Sequence, residues 1–379
     1  MRSLRTPVVA VAAMFFLNGA FFGGWASRIP SIKEGFGLSP DALGLLLLLL
    51  AAGAIVSFPF AGAATDRYGA ARVTWWLAVF YAAALMMIGV AREIWFLAIA
   101  LFLFGVTHGA MDVAMNAWGA EVERRARRPI LSMLHAIFSL GAGVGAAFGV
   151  GVLKLDWSVT QHFLSFAVLA TLPCMVLANI DWTSDTSAKI GGGRLFNLPK
   201  GVLILVGIIA FCSAMGEGAM ADWSALFLVE TVAASESQAA AGYAVFSVAM
   251  VLARLFGHRV IQSLGAFRTT QLSGVTAFIG ILLAVFGTSV FVVLCGYAFM
   301  GLGFALIMPL AFSKAANDPD QPSGTAIASV ATLGYGGLLL GPPIIGFLAE
   351  HTSFETSFLL LALLAVMISL LAKAVETKR

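Results

Sequence analysis

Charged residues are scarce in this sequence. Of the 379 residues, 11% are charged and 60% are hydrophobic, and the mean hydropathy is +0.96. Soluble globular chains have about 25% charged residues, because their surfaces face water. With so few charges, a large part of the surface has to be apolar and has to face lipid. The composition predicts an integral membrane protein.

Other classes of protein are excluded by missing motifs. The three cysteines, Cys174, Cys212 and Cys295, lie inside apolar runs, which argues against a disulfide framework and against a metal site. No G-x-x-x-x-G-K-[ST] phosphate loop is present, so ATP-driven transport within this chain is not expected. The net charge of +3 is too small to indicate a nucleic-acid partner. We therefore expect no cofactor, no metal ion and no nucleic acid.

Long apolar runs recur along the chain. A helix that crosses a membrane needs about 20 largely apolar residues. Cutting the chain at charged or turn-rich breaks predicts twelve such helices: 7–27, 41–64, 73–91, 95–118, 130–153, 161–180, 201–229, 238–257, 269–288, 290–313, 323–349 and 355–373. The sequence thus predicts an all-α membrane protein with two six-helix bundles, 1–180 and 201–379, joined by a flexible cytoplasmic linker at 181–200.

The distribution of Lys and Arg orients these helices. With the N-terminus inside the cell, 18 of the 22 Lys and Arg residues fall on the cytoplasmic side. The other four are Arg28, Lys33, Arg92 and Lys154. Short cytoplasmic loops retain positive charge. We therefore predict a multi-pass protein of the bacterial inner membrane with both termini in the cytoplasm.

The two halves resemble each other weakly. Tyr68–Thr74 (YGAARVT) aligns with Leu264–Thr270 (LGAFRTT) at an offset of 196 residues, and both segments follow the second helix of their half. Ser139–Gly141 (SLG) likewise matches Thr332–Gly334 (TLG), each opening a glycine-rich helix. A parallel repeat of six helices is typical of transporters whose substrate path lies between the halves.

The first of these loops carries a family signature. Gly62, Asp66, Arg67, Gly69 and Arg72 match the loop that follows the second helix in the major facilitator superfamily, whereas positions 70 and 71 are alanines where that family often has basic residues. The sequence resembles this superfamily over its whole length. The resemblance implies an alternating-access transporter in which the matching acidic and basic residues help to hold a cytoplasmic gate.

A narrower resemblance is to the fucose-permease-like branch of the superfamily. Asp112, Asn116 and His135 stand where that branch has an acidic residue, an asparagine four residues later and a polar residue early in helix five. The branch's other carboxylate, in helix one, has no counterpart in Phe21–Ala26. The resemblance thus implies a small polar solute, such as a monosaccharide, without a two-carboxylate mechanism.

Polar residues on predicted helix four form the main candidate site. Residues at four-residue spacing lie on one helical face, and His108, Asp112 and Asn116 have this spacing. Ionisable side chains inside a membrane usually face the bundle interior or a water-filled cavity. We predict that Asp112 binds and releases a proton during transport and that His135 lies near it at a similar depth. A purely structural pairing of the two helices is the alternative.

Predicted helices one and seven add further candidates. Glu217 lies near the middle of helix seven between two glycines, and Asp222 and Trp223 lie nearer its outer end. Trp223 is interpreted either as a stacking face for a ring-shaped solute or as an anchor at the membrane interface. Asn18 in helix one either contacts the solute or bonds to a neighbouring helix.

The sequence predicts a monomeric secondary transporter of a small organic solute, with proton-coupled uptake preferred. Exporters of this superfamily usually have a Gly-Pro pair in helix five, and Ser139–Gly151 contains no proline. Proton-coupled efflux is the alternative within the class. An integral membrane enzyme is an alternative outside it, but the sequence shows neither an Asp-rich cluster nor a nucleophile with its base. A passive channel is another, but twelve spans with an internal repeat favour alternating access.

Overall fold

The computed structural model describes residues 6–127, 130–186, 199–318 and 323–376, and these residues form helices and connecting segments without a strand. The helices are α1 (Pro7–Ala26), α2 (Ile29–Gly35), α3 (Pro40–Tyr68), α4 (Ala70–Val90), α5 (Ile94–Ala126), α6 (Leu131–Leu153), α7 (Val159–Ala178), α8 (Val202–Val232), α9 (Glu236–Val285), α10 (Val290–Phe304), α11 (Ile307–Ala316), α12 (Ser323–His351), α13 (Phe354–Leu371) and a final 3-10 turn (Ala372–Val375). The predicted all-α class is confirmed.

Within the described residues, eleven helical stretches are long and apolar enough to cross a membrane. One of them, α9, has 50 residues, which would be about 75 Å at 1.5 Å per residue, more than twice the thickness of a hydrocarbon core. Its backbone leaves helical geometry at Gly265, with φ 76° and ψ 166°. The two parts of α9 coincide with the predicted spans 238–257 and 269–288, so the stretches amount to the twelve spans predicted.

The described residues cluster into two compact units. Unit 1 contains the residues up to Gly37 and those from Leu46 to Thr186, and unit 2 contains Leu38–Leu45 and the residues from 199 onward. Most of the predicted linker, 187–198, and both chain termini lie outside the described residues. The segment 181–186 is fixed to unit 1, as described below.

Unit 1 is held together by close contact between α1 and α6. A Cβ atom added to Gly23 would overlap the carbonyl group of Ala142, and one added to Gly145 would overlap the carbonyl group of Ala20. The absence of these two side chains lets the backbones of α1 and α6 touch, as expected where small residues line a membrane helix interface. In unit 2, Gly337 of α12 makes the same kind of contact with the carbonyl group of Phe211 in α8.

Candidate transport site

The polar face predicted on helix four is present on α5. His108, Asp112 and Asn116 follow one another at one-turn intervals, and all three side chains are half-buried. The Asn116 Nδ2 donates to Asp112 Oδ1 at 3.1 Å and to the Asp112 carbonyl at 2.9 Å. These bonds hold one carboxylate oxygen of Asp112. Its other oxygen, Oδ2, has no hydrogen-bond partner among the described residues and is not fully buried.

His108 is oriented by two other helices of unit 1. The Tyr81 hydroxyl of α4 lies 3.0 Å from His108 Nδ1, and Asn18 Nδ2 of α1 donates to the His108 carbonyl at 3.3 Å. The Phe22 ring stacks on the imidazole, with centroids 5.0 Å apart and planes at 23°. Asn18 is fully buried, and its Oδ1 finds no partner among the described residues. The sequence predicted Asn18 and His108 as candidates but missed Tyr81 and Phe22, which look like ordinary aromatic residues in apolar runs.

Among the described residues, no hydrogen bond or ion pair joins Asp112 to His135, which the sequence predicted to lie near it. The Asp112 side chain bonds to Asn116, whereas the His135 ring is exposed and packs edge-on against Phe15, with centroids 5.4 Å apart. The proximity of Asp112 and His135 at a similar depth stays a prediction.

Unit 2 carries an ion pair between helices, whereas Asp112 of unit 1 bonds to an uncharged side chain. Arg254 of α9 lies with one guanidinium nitrogen, Nη2, 3.6 Å from Glu217 Oε2 of α8, and the two side chains are 18% and 24% exposed. The Ser213 hydroxyl donates to Glu217 Oε1 at 3.2 Å, and Arg254 Nε donates to the Ala305 carbonyl at 3.3 Å. The sequence predicted Glu217 but not its partner, which is 37 residues away in the chain.

Asp222 and Trp223 lie inside unit 2. Asp222 is 8% exposed and Trp223 is fully buried. The Trp223 ring packs against Phe354, with centroids 6.0 Å apart, and a Cβ atom on Gly346 would lie 3.0 Å from it. The ring is thus covered by protein, and the role of Trp223 as a stacking surface or as an interface anchor stays a prediction.

The predicted cytoplasmic gate lies at the end of α3 and the start of α4. Asp66, Arg67 and Arg72 are exposed, and the Arg67 guanidinium lies 5.1 Å from the centroid of the Tyr68 ring. Gly62 lies within the last two turns of α3, where a Cβ atom would meet open space. Gly69 separates the two helices with φ 87°, a conformation that favours glycine.

The segment that follows α7 packs beside this loop. The Ser184 hydroxyl accepts from the Ala71 amide at 3.1 Å and so caps α4, whose own N-cap residue, Gly69, has no side chain. The Trp182 indole donates to Glu121 Oε2 at 2.9 Å. The first six residues of the predicted flexible linker, 181–186, are therefore fixed to unit 1.

Asp185 joins the same segment to the end of α5. It bonds to Arg124 at 2.7 Å and to Arg125 at 3.0 Å. These hydrogen bonds hold the pKa of the Asp185 carboxyl below its usual range. The sequence placed both arginines only among the cytoplasmic charges, because their partner lies 61 and 60 residues further along the chain.

A buried arginine lies among the residues predicted to face the outside. Arg28 is 2% exposed and donates from Nε to His162 Nδ1 at 3.2 Å, from Nη1 to the Ser31 hydroxyl at 3.3 Å and from Nη2 to the Trp157 carbonyl. His162 is fully buried, and its Nε2 has no partner among the described residues. The sequence counted Arg28 as a loop charge, since nothing near it in the chain indicates burial.

Comparisons with known proteins agree with this architecture. The sequence profile of the Major Facilitator Superfamily matches residues 11–337 and 206–378. The chain is 43% identical to the transporter y4wD of Sinorhizobium fredii, over 99% of this chain and 100% of that one. It is 34% identical to an MFS-type transporter of Yersinia pestis (97% and 95% covered) and 30% identical to the membrane protein MosC of Rhizobium meliloti (96% and 89% covered).

Solved structures give the same fold. The nucleoside transporter NupG superimposes with a TM-score of 0.78 at 12% identity, covering 98% of this chain and 100% of that one. A bacterial homologue of the human lysosomal transporter Spinster gives 0.73 at 13% identity, covering 97% and 96%. At such identities the likeness concerns the fold alone, whereas the profile and the sequence relatives assign the family. This multi-pass membrane protein belongs to the major facilitator superfamily of transporters and is not an enzyme.

Proposed function

We propose that this transporter couples the uptake of a small, polar, organic solute to the movement of protons, with Asp112 as the proton-binding group. The observation that carries the proposal is the polar face of α5. Asp112 is the one carboxylate in the middle of a predicted span of the N-terminal half. The Asn116 amide donates to Asp112 Oδ1 and leaves Oδ2 available. An ionisable residue inside the membrane is a functional candidate by default, since placing it there costs about 2.5–3.5 kcal/mol on insertion scales.

Glu217 is proposed to act in the other unit as the second titrating group. Its carboxylate is shared between the Ser213 hydroxyl and the Arg254 guanidinium. Protonation of Glu217 would remove its negative charge and so weaken the ion pair with Arg254, which could then bond to other groups. Unit 2 would thus have two arrangements, with and without the ion pair, that differ by one proton. Asp222, which is buried close to Glu217 in the chain, is a weaker candidate for the same role.

The cellular setting follows from the charge distribution. We propose a location in the bacterial inner membrane with both termini in the cytoplasm, as the excess of Lys and Arg in one set of loops favours. The cytoplasmic gate is then formed by Gly62, Asp66, Arg67, Gly69 and Arg72, with the 181–186 segment packed beside it on the same side. We propose that the protein works as a monomer.

The experiment uses purified protein in two steps. Thermal stability in detergent is first measured against a panel of sugars, polyols, small acids and lipophilic cations, because a solute at 100 times its Kd stabilises the folded state by about 2.7 kcal/mol. Uptake of a stabilising solute into proteoliposomes is then followed with and without an inside-alkaline pH gradient. Gradient-driven accumulation that is lost in Asp112→Asn and kept in Asp156→Asn, an exposed loop position, is the expected result. Undiminished accumulation in Asp112→Asn would refute the role of this residue.

Proton-coupled efflux is the second candidate, since the same groups serve either direction. Stabilisation by lipophilic cations alone, with release from preloaded vesicles against a gradient, would favour it. The absence of proline in the glycine-rich part of α6, Ser139–Gly151, supports uptake.

A further inference from the structure

His108 presents one open nitrogen on the polar face of unit 1. Its Nδ1 is occupied by the Tyr81 hydroxyl at 3.0 Å, and its backbone carbonyl is held by Asn18. Its Nε2 makes no hydrogen bond among the described residues and is not fully buried. The stacked Phe22 ring and the bond to Tyr81 fix the ring on two sides. A side chain held in this way presents Nε2 in a defined direction.

The nearest polar group on the same helical face is also open. Asp112 lies one turn further along α5, and its Oδ2 has no partner among the described residues. Groups four residues apart on a helix have Cβ atoms about 5–6 Å apart. The His108 nitrogen and the Asp112 oxygen are therefore spaced to contact two neighbouring polar groups of one small molecule.

The charges around this pair limit what it can bind. In the N-terminal half of the sequence, the predicted helices contain no Lys or Arg away from their ends. An anionic solute would thus find no compensating cation on this face, and burial of an unpaired charge is costly. A hydroxyl group suits both partners, because it can donate to Asp112 Oδ2 and can either donate to or accept from His108 Nε2, whichever tautomer the ring adopts.

We infer that His108 Nε2 and Asp112 Oδ2 together bind neighbouring hydroxyl groups of an uncharged polyol, with Tyr81 and Asn18 as positioning residues. The inference rests on the proposed transport function and names the substrate class of the same site. His108 determines specificity, whereas Asp112 also binds the proton.

The first test needs no transport. Diethyl pyrocarbonate modifies accessible neutral imidazoles, and mass spectrometry locates the modified histidines in the intact, detergent-solubilised protein. We expect rapid modification of His108 and little modification of His162, whose Nδ1 is bonded to Arg28 and whose Nε2 is fully buried. Myo-inositol, galactose and ribitol serve as polyol probes, with lactate and tetraphenylphosphonium as charged controls. At least one polyol is expected to protect His108. An unreactive His108, protection by a charged probe alone, or protection by none would overturn the inference.

The second test separates the residue's chemistry from its bulk. His108→Gln places an amide nitrogen near the position of Nε2, whereas His108→Leu fills similar space without a polar atom. Loss of one hydrogen bond worth about 1.4 kcal/mol corresponds to a tenfold change in Kd. We expect His108→Leu to weaken binding of the protecting polyol about tenfold, His108→Gln to stay within about threefold of the wild type, and Tyr81→Phe to fall between them.

The outcomes keep the two proposals apart. Wild-type polyol affinity in His108→Leu, with gradient-driven uptake intact, would refute the role of His108 and leave the transport function standing. If no polyol that protects His108 accumulates under a pH gradient, the proposed function is refuted. The labelling result would still define a binding site.

Discussion

Gly69 in unit 1 and Gly265 in unit 2 occupy corresponding places in the two sequence repeats. They share a positive φ, 87° and 76°, and an extended ψ, 139° and 166°. Their surroundings differ, because a Cβ atom on Gly69 would lie 2.8 Å from Ser184 Cβ, whereas one on Gly265 would meet nothing within 4 Å. The repeat has therefore kept the backbone conformation of the loop, while the contacts made by that loop have diverged.

The interiors of the units have diverged in the same way. On the polar face of unit 1, the one carboxylate, Asp112, accepts a hydrogen bond from an uncharged side chain, whereas unit 2 holds the Glu217–Arg254 ion pair. A lone carboxylate with an open oxygen is free to take a solute or a proton, but a paired one must first give up its partner. We infer that unit 1 recognises the solute and that unit 2 changes its internal pairing.

The largest expected effect is at the buried arginine of unit 1, Arg28. Arg28→Ala removes three donors and leaves His162 Nδ1 and the Trp157 carbonyl without them, which should lower the free energy of unfolding by about 3 kcal/mol. Thermal unfolding in detergent measures this loss, with substitution of the exposed loop residue Arg92 by alanine (Arg92→Ala) as the control. An Arg28→Ala protein as stable as the control would show that this buried arginine does not hold unit 1 together.

The ion pair of unit 2 should be nearly as sensitive. Glu217→Gln or Arg254→Met alone removes the opposite charge from a half-buried partner and should cost about 2 kcal/mol, reduced from the fully buried case by the partial exposure of both side chains. The double variant should recover most of this loss, as a double-mutant cycle would show.

Asp112→Asn provides the matched comparison in unit 1. It should cost less than about 1 kcal/mol, because no opposite charge is left behind. Equal losses of stability for Asp112→Asn and Glu217→Gln would show that the two units do not differ in how their half-buried carboxylates are paired.

The glycine pair gives a smaller and direct comparison. An alanine at either Gly69 or Gly265 is strained by the positive φ, by about 1–2 kcal/mol. Gly69→Ala should cost about 1 kcal/mol more, because its methyl group meets Ser184. In a Ser184→Gly background, which itself loses the cap on α4, Gly69→Ala should cost no more than Gly265→Ala. If the two alanine variants had equal stability, the packing of the 181–186 segment on this loop would be contradicted.

The smallest effect concerns pH. Arg124 and Arg125 hold the pKa of Asp185 below its usual range. The contribution of Asp185 to folding stability is therefore fully present above its unfolded-state pKa and is lost as the pH falls through the lower folded-state pKa. Asp185→Asn should abolish this acid-side dependence and loosen the segment at neutral pH. Hydrogen exchange of the 179–186 peptide checks this, with a peptide from unit 2 as reference. Equal exchange in the variant and the wild type would show that the bonds to Asp185 do not hold the segment.

Membership of the major facilitator superfamily could be predicted from the sequence, whereas the fucose-permease-like branch stays a prediction. The spans, the loop signature and the one-faced spacing of His108, Asp112 and Asn116 depend on residues close together in the chain, so local periodicity was sufficient. Trp223 shows the limit of that reasoning, since its place nearer the outer end of helix seven fitted either a stacking face or an interface anchor and did not indicate that the ring is fully buried.

The sequence by itself determined the membrane environment, the number of spans and the helical face that carries Asp112. Scarce charge, apolar run length and helical periodicity are properties of the chain that folding does not alter. Only the tertiary structure decided the partners: Tyr81 for His108, Arg254 for Glu217 and His162 for Arg28, the last pair 134 residues apart. Such pairs depend on the rotation and packing of whole helices, and these are set by the summed contacts of many residues.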